Sequence, residues 1–270
     1  MTPLKRRGQE NARHGCQGLD LASLELAVNG VASSNKGALT LELVEHFGIS
    51  LKLDPSYMSD YMMEVIRQKR YEIQEARQLK RIIQPNEVVL EIGAGIGFMA
   101  SLIANNALTT RVVSYEANGS LVPRITETVK NNTGENFAKW EIRHAVLATG
   151  YRDQNEMDFY VHKDFWASSL TPSADAIRVE KVKVDSFNSV IAEVKPTLIV
   201  CDIEGGELEL FKNADLSGVK KVYLEVHQKR LGRRGIRALF ECFHSRDFSY
   251  DQHHSEGSVV LFSHVDRDKK

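Results

Sequence analysis

The segment Val88-Val89-Leu90-Glu91-Ile92-Gly93-Ala94-Gly95-Ile96-Gly97-Phe98 constrains the fold of this chain more than any other. An apolar run suited to a buried strand enters three glycines on alternate positions, and Phe98 to Ala104 follows with the character of a helix. A strand that turns sharply into a helix sets the helix N-terminus, with its unpaired amides, at the carboxyl end of a sheet. Glycine permits both the turn and the close approach of a ligand. The order is Gly-x-Gly-x-Gly with Phe98 in sixth place, so the dinucleotide fingerprint Gly-x-Gly-x-x-Gly is not met and a nicotinamide cofactor is the weaker reading.

Two carboxylates sharpen the choice. Glu91 stands two residues before Gly93, and Glu116 ends the next β-rich run, 19 residues after Gly97. A carboxylate at the tip of the neighbouring strand can accept both ribose hydroxyls of an adenosine, and Glu91 can meet an ammonium group. A molecule with an adenosine, a compact linker and an α-amino acid satisfies both, and that molecule is S-adenosylmethionine. The expected cofactor-binding residues are Glu91, Gly93, Ala94, Gly95, Gly97, Glu116, Ala117, Asn118 and, from a later segment, Asp202.

The rest of the chain supplies a sheet for this loop. Val88–Ile92, Arg111–Glu116, Trp140–His144, Thr197–Asp202 and Lys220–Val226 are β-rich runs alternating with helical segments, which predicts a largely parallel sheet with helices on its faces. Between the third and fourth runs, Glu156–Val184 contains the alternating stretches Asp158–His162 and Arg178–Val184, expected as a hairpin flap. Asp247–Asp251 and Ser258–His264 predict a closing antiparallel pair. Upstream, Ser56–Ile83 lacks Gly and Pro and repeats apolar residues at helical spacing, predicting one long amphipathic helix that Pro85 interrupts. The first 35 or so residues read as a partly ordered arm with a short helix over Leu19–Val31. This divides the chain into an N-terminal helical extension, 1–80, and a catalytic domain, 81–270.

Composition removes other classes. With 42% apolar and 26% charged residues over 270 positions, a core can form without a metal or disulfide framework. Lys and Arg number 35 against 36 Asp and Glu, so the strongly basic field of a nucleic-acid binder is missing. Cys16, Cys201 and Cys242 are odd in number and far apart, which predicts reduced thiols in a cytoplasmic protein. No apolar stretch follows the basic start Met1–Arg7 and none approaches a membrane span, so neither export nor a membrane span is expected. His253, His254 and His264 have no metal-ligand spacing, and no metal is expected.

A second constellation, Thr197 to Phe211, is another buried strand followed by Asp202, Glu204, the pair Gly205-Gly206, and Glu207. In an open α/β sheet the carboxyl ends of the strands share one crevice, so Asp202 and Glu204 should face Gly95 as reacting groups. The alternative is structural: Asp202 caps the following helix while Glu204 and Glu207 favour its positive end.

With these motifs the sequence resembles the FkbM family of S-adenosylmethionine-dependent methyltransferases, in Val89–Gly97, in Asp202–Glu207 and in Val182–Phe187. Ser168–Leu170 and Leu224–His227 look like that family as well, and the resemblance spans about residues 80 to 265. It implies a Rossmann-like class I methyltransferase fold, a mostly parallel seven-stranded sheet with an antiparallel last strand, and O-methylation as the usual activity. The implied acceptor is a small-molecule hydroxyl, on a sugar or secondary metabolite. Methylation of RNA or protein is the rival, and a scaffold without turnover is the reading from another class.

Methyl transfer from a sulfonium is an in-line displacement that gains most from alignment and something from a base. Asp202, Glu204 and His227 are the catalytic candidates, His227 because it follows the fifth strand and has an ordinary pKa of roughly 6.5. Trp166, Ser168 and Ser169 in the flap, and Arg230 in the basic run Lys229–Arg237, are the candidate acceptor contacts, with flap packing and a solvated helical face as the alternatives. The N-terminal helix is expected to cover part of the crevice or to mediate self-association.

Overall fold

The computed structural model describes residues 42–150 and 156–268. The expected arm, its short helix and Cys16 lie outside the described residues. The first described elements are a hairpin, β1 (Leu43–His46) and β2 (Ile49–Lys52), closed by Phe47-Gly48, both with positive φ as a tight hairpin turn of matching twist requires. Next come α1 (Asp60–Arg67), capped by the Ser59 hydroxyl accepting from the Met62 amide, and α2 (Ile73–Ile82).

The single long helix expected over 56–83 is therefore two. Lys69 and Glu72 adopt left-handed φ of 57° and 44°, which breaks the helix although no Gly or Pro marks the place. A straight helix of that length would run about 42 Å, more than the width of a seven-stranded sheet at about 29 Å. The break lets each piece turn its own apolar face inward: Met62, Met63 and Ile66 from α1, Ala76, Leu79 and Ile82 from α2.

The remaining elements alternate as expected: β3 (Glu87–Ile92), α3 (Phe98–Asn105), β4 (Thr109–Glu116), α4 (Val122–Thr133), β5 (Trp140–His144), β6 (Val146–Ala148), β7 (Glu156–Val161), β8 (Arg178–Ser186), α5 (Phe187–Val194), β9 (Leu198–Cys201), α6 (Glu207–Lys212), β10 (Lys221–Glu225), α7 (Gln228–His244), β11 (Phe248–Tyr250) and β12 (Val259–His264). The main sheet has the order β11-β12-β10-β9-β3-β4-β5, parallel except that β12 runs against both neighbours. The fold is the Rossmann-like arrangement expected, with an antiparallel last strand. β7 and β8 form the antiparallel flap, and the end of β8 pairs with β6 to make a three-stranded sheet.

Two apolar layers flank the sheet. On one face Val89 and Phe98 share a cluster with Ile49, Leu51, Met62 and Leu79, so the segment from 42 to 83 packs directly on the sheet. On the other, Leu90 and Ile92 meet Phe187, Phe211 and Phe243 of α5, α6 and α7. A buried ion pair ties the first layer down: Lys221 pairs with Glu87 and donates to the Ile82 carbonyl at 2.6 Å, fixing the end of α2 to the sheet. Among the described residues, no helix is long and apolar enough to cross a membrane.

The strand order reverses beside β3. The chain goes from β3 outward to β4 and β5, then returns to place β9 on the opposite side of β3. Loops leaving the carboxyl ends at such a reversal part in opposite directions and leave a crevice. The glycine turn after β3 and Asp202 after β9 border it.

Candidate active site

The crevice is a cavity of about 930 Å³, roofed by the flap and by the turn between α1 and α2. Gly93, with φ of 88°, packs so tightly on the next strand that a Cβ would collide with the Asp202 carbonyl, and the Asp202 amide donates to the Ile92 carbonyl at 2.9 Å. The glycine loop and the second acidic motif are thereby one rigid unit. Gly95 has φ of 56°, and a Cβ there would lie 3.1 Å from the Tyr71 hydroxyl and 3.5 Å from Phe165. The absent side chain keeps open the slot between the loop and its roof.

Glu116 sits at the tip of β4 on the cavity wall, its Oε2 accepting from the Gly95 amide at 3.0 Å and its Oε1 from the Asn118 amide at 2.8 Å. Burial pushes this carboxyl up to about 7, against the opposing pull of the amides. A carboxylate oriented by backbone, beside an open glycine slot at a helix N-terminus, fits the ribose and amino-acid portions of S-adenosylmethionine.

Asp202, Glu204, Glu225 and His227 also line the cavity. His227 Nδ1 lies 2.6 Å from Oε1 of Glu207, a carboxylate with no exposed surface. Its Nε2 faces three acids: Glu204 at 3.4 Å, Asp202 at 3.9 Å and Glu225 at 3.9 Å. Burial alone would lower the imidazole pKa, but hydrogen bonds to Glu204 and Glu207 outweigh it and push it up to about 11. His227 is held as an imidazolium at neutral pH, which corrects the expectation of an ordinary histidine pKa. Asp202 moves the other way from a surface acid: burial, then the charge of Glu225, raises it well above the usual range while His227 draws it down. A carboxylate whose proton affinity has been raised is the better proton acceptor. Asp202 does not cap α6, whose N-cap is Gly206 without a side-chain cap. Asp202, Glu225 and His227 each bring a potential ligand atom within 4.8 Å of the others, but an imidazolium has no lone pair to offer a cation.

The structure gathers most, not all, of the residues expected from sequence. Gly93, Gly95, Glu116, Ala117, Asp202, Glu204 and His227 line the cavity, as do Trp166, Ser168 and Ser169 of the flap. Glu91 does not; it is buried within β3, where Ser114 donates to its Oε2 and Trp140 donates to Ser114 at 2.8 Å. Ala94 and Gly97 shape the loop from behind, a Cβ on Gly97 meeting Ile125 at 3.1 Å. Asn118 secures the turn after β4 by accepting from Ser120 and Arg178. Arg230 is exposed on α7, outside the cavity lining, its stem packed over Gly205. Tyr71, Glu72 and Glu75 on the wall were not foreseen. An acid or aromatic within an amphipathic stretch gives no signal of its own, and the turn that aims Tyr71 and Glu72 inward is unmarked by Gly or Pro.

A doubly wound sheet with a glycine turn after β3 and an acid at the tip of β4, opening on a shared crevice, defines a class I S-adenosylmethionine-dependent methyltransferase. The chain belongs to the FkbM family: the Methyltransferase FkbM domain matches residues 91–257, and S-adenosylmethionine is its cofactor. No curated protein matches it significantly. Among solved structures it is similar to precorrin-6y C5,15-methyltransferase from Geobacter metallireducens GS-15, with 12% identity, 71% of this chain and 85% of that one covered, and a TM-score of 0.41. TYW2 from M. jannaschii in complex with AdoMet shares 14% identity over 86% of this chain and 90% of that one, TM-score 0.41. Trm5b from Pyrococcus abyssi shares 12% over 84% of this chain, which spans 56% of that one, TM-score 0.45.

Proposed function

We propose that residues 81–270 form the catalytic domain of an O-methyltransferase acting on a hydroxyl of a sugar or secondary metabolite, with the preceding residues as its extension. The observation that carries this reading is the pairing of Asp202 with an imidazolium, His227, in the same cavity as Glu116 and the glycine slot. When bound, S-adenosylmethionine supplies an electrophilic methyl group on a sulfonium. Asp202 takes the hydroxyl proton of the acceptor at Oδ1 or Oδ2, and His227 holds that carboxylate in place and offsets the charge of Glu204 and Glu225. Trp166 and the buried Ser168 and Ser169 bound the acceptor from the flap. Seven carboxylate side chains line the wall (Glu72, Glu75, Glu116, Asp202, Glu204, Glu209 and Glu225), which repels polyphosphate and favours a neutral or cationic acceptor.

The test is transfer of isotopically labelled methyl from S-adenosylmethionine, in parallel, to a panel of polyhydroxylated small molecules and to total RNA. Label in an alkali-stable ether of a small molecule supports the assignment. Label in RNA, with an RNA affinity that falls with salt as six or more phosphate contacts require, replaces it with the nucleic-acid reading.

A further inference from the structure

We infer that Glu72, in the turn between α1 and α2, receives the ammonium group of the cofactor's amino-acid tail, the part the sequence assigned to Glu91. The inference rests on the S-adenosylmethionine assignment and goes beyond it to a residue upstream of the matched family domain. Glu91 is 1% exposed, is not among the residues that line the cavity, and spends one oxygen on Ser114. Glu72 is on that wall, with Oε1 3.9 Å from where a Cβ of Gly95 would stand. It therefore borders the slot that the missing side chain keeps open over the helix N-terminus.

Three features show a carboxylate held there rather than left there. First, Glu72 keeps a left-handed backbone, φ 44° and ψ 36°, a conformation unfavourable for a non-glycine residue. Second, the preceding residue is pinned: buried His46 of β1 meets the Tyr71 carbonyl at 2.8 Å and stacks at 5.0 Å on Phe98, the first residue of α3. The hairpin thus fixes the turn directly above the glycine loop. Third, Glu72 has no ion pair among the described residues, while burial and then the charge of Glu75 raise its carboxyl well above the usual range, with Asp202 and Glu91 adding to this and the Tyr71 hydroxyl opposing it. A half-buried carboxylate among other acids is a receptor for a cation.

Calorimetry on the full chain with two probes tests this. S-adenosylhomocysteine carries the amino-acid tail; 5′-methylthioadenosine has the adenosine and lacks the tail. Glu72→Gln should weaken the first about 10- to 100-fold and leave the second within about two-fold, as loss of one charged hydrogen bond requires. Glu72→Asn, neutral and tolerant of left-handed backbone, should repeat the result and serves if the Gln variant folds poorly. Equal losses on both probes, or none on either, overturn the inference, as does a tail-selective loss in Glu91→Gln with none in Glu72→Gln. If the unaltered protein binds neither probe, the cofactor assignment itself fails, an outcome distinct from the others.

Discussion

Glu207 holds His227: Oε1 of the fully buried carboxylate lies 2.6 Å from Nδ1 of the ring and also accepts from the Gly205 amide at 3.2 Å. This fixes the imidazole with Nε2 toward the acids of the cavity, as a carboxylate behind a histidine does in many sites that need one ring orientation. Because Glu204 and Glu207 push His227 up to about 11, the ring should remain doubly protonated at pH 8, observable in its ¹⁵N chemical shifts. Glu207→Gln removes one of those supports and should lower the titration midpoint. An unchanged midpoint would mean Glu207 does not control the ring.

Asp202 and His227 should separate binding from chemistry. Asp202→Asn is expected to reduce single-turnover rate about 100-fold or more with cofactor affinity within a few-fold, the pattern of a lost proton acceptor. His227→Gln removes the positive charge that draws the Asp202 carboxyl down, so the acid limb of the rate profile should move to higher pH. A drop in melting temperature with normal turnover in Asp202→Asn would return that residue to a structural role.

Glu91 makes stability depend on pH in a particular direction. Burial pushes its carboxyl up to about 7, above the unfolded value of about 4.5, so the folded state holds the proton more tightly. Its contribution therefore lowers stability as pH rises through that window. Glu91→Gln, which cannot ionise, should gain on the unaltered protein between pH 5 and pH 8 in denaturant titrations. A constant difference across that range would show that Glu91 does not titrate there.

The buried pair between Lys221 and Glu87 anchors the end of α2, and removing one partner strands the other. Lys221→Met should cost about 3–5 kcal/mol, while replacing both partners by apolar residues should recover much of that loss. Chemical denaturation of the two single variants and the double variant measures it. Additive losses would indicate that the two groups act independently.

The sequence by itself determined the strand, turn and helix around Gly93, the parallel alternation, the flap hairpin, and the acids Glu116 and Asp202. Each depends on short-range chemistry: glycine dihedrals, apolar period, and a polar residue at the end of a buried run. Tertiary structure decided what those signals leave free. It broke the segment 56–83 into α1 and α2, because two apolar faces had to reach one core, and left-handed φ at Lys69 and Glu72 leaves no mark in composition. It buried Glu91 outside the cavity lining and set Glu72 on the cavity wall beside Gly95, although both are simply acids near a turn when read in order. It also turned His227 into an imidazolium, because a pKa depends on neighbours gathered from distant strands and helices: Glu204 and Glu207 stand about 20 residues away in the chain and within hydrogen-bonding distance in the fold.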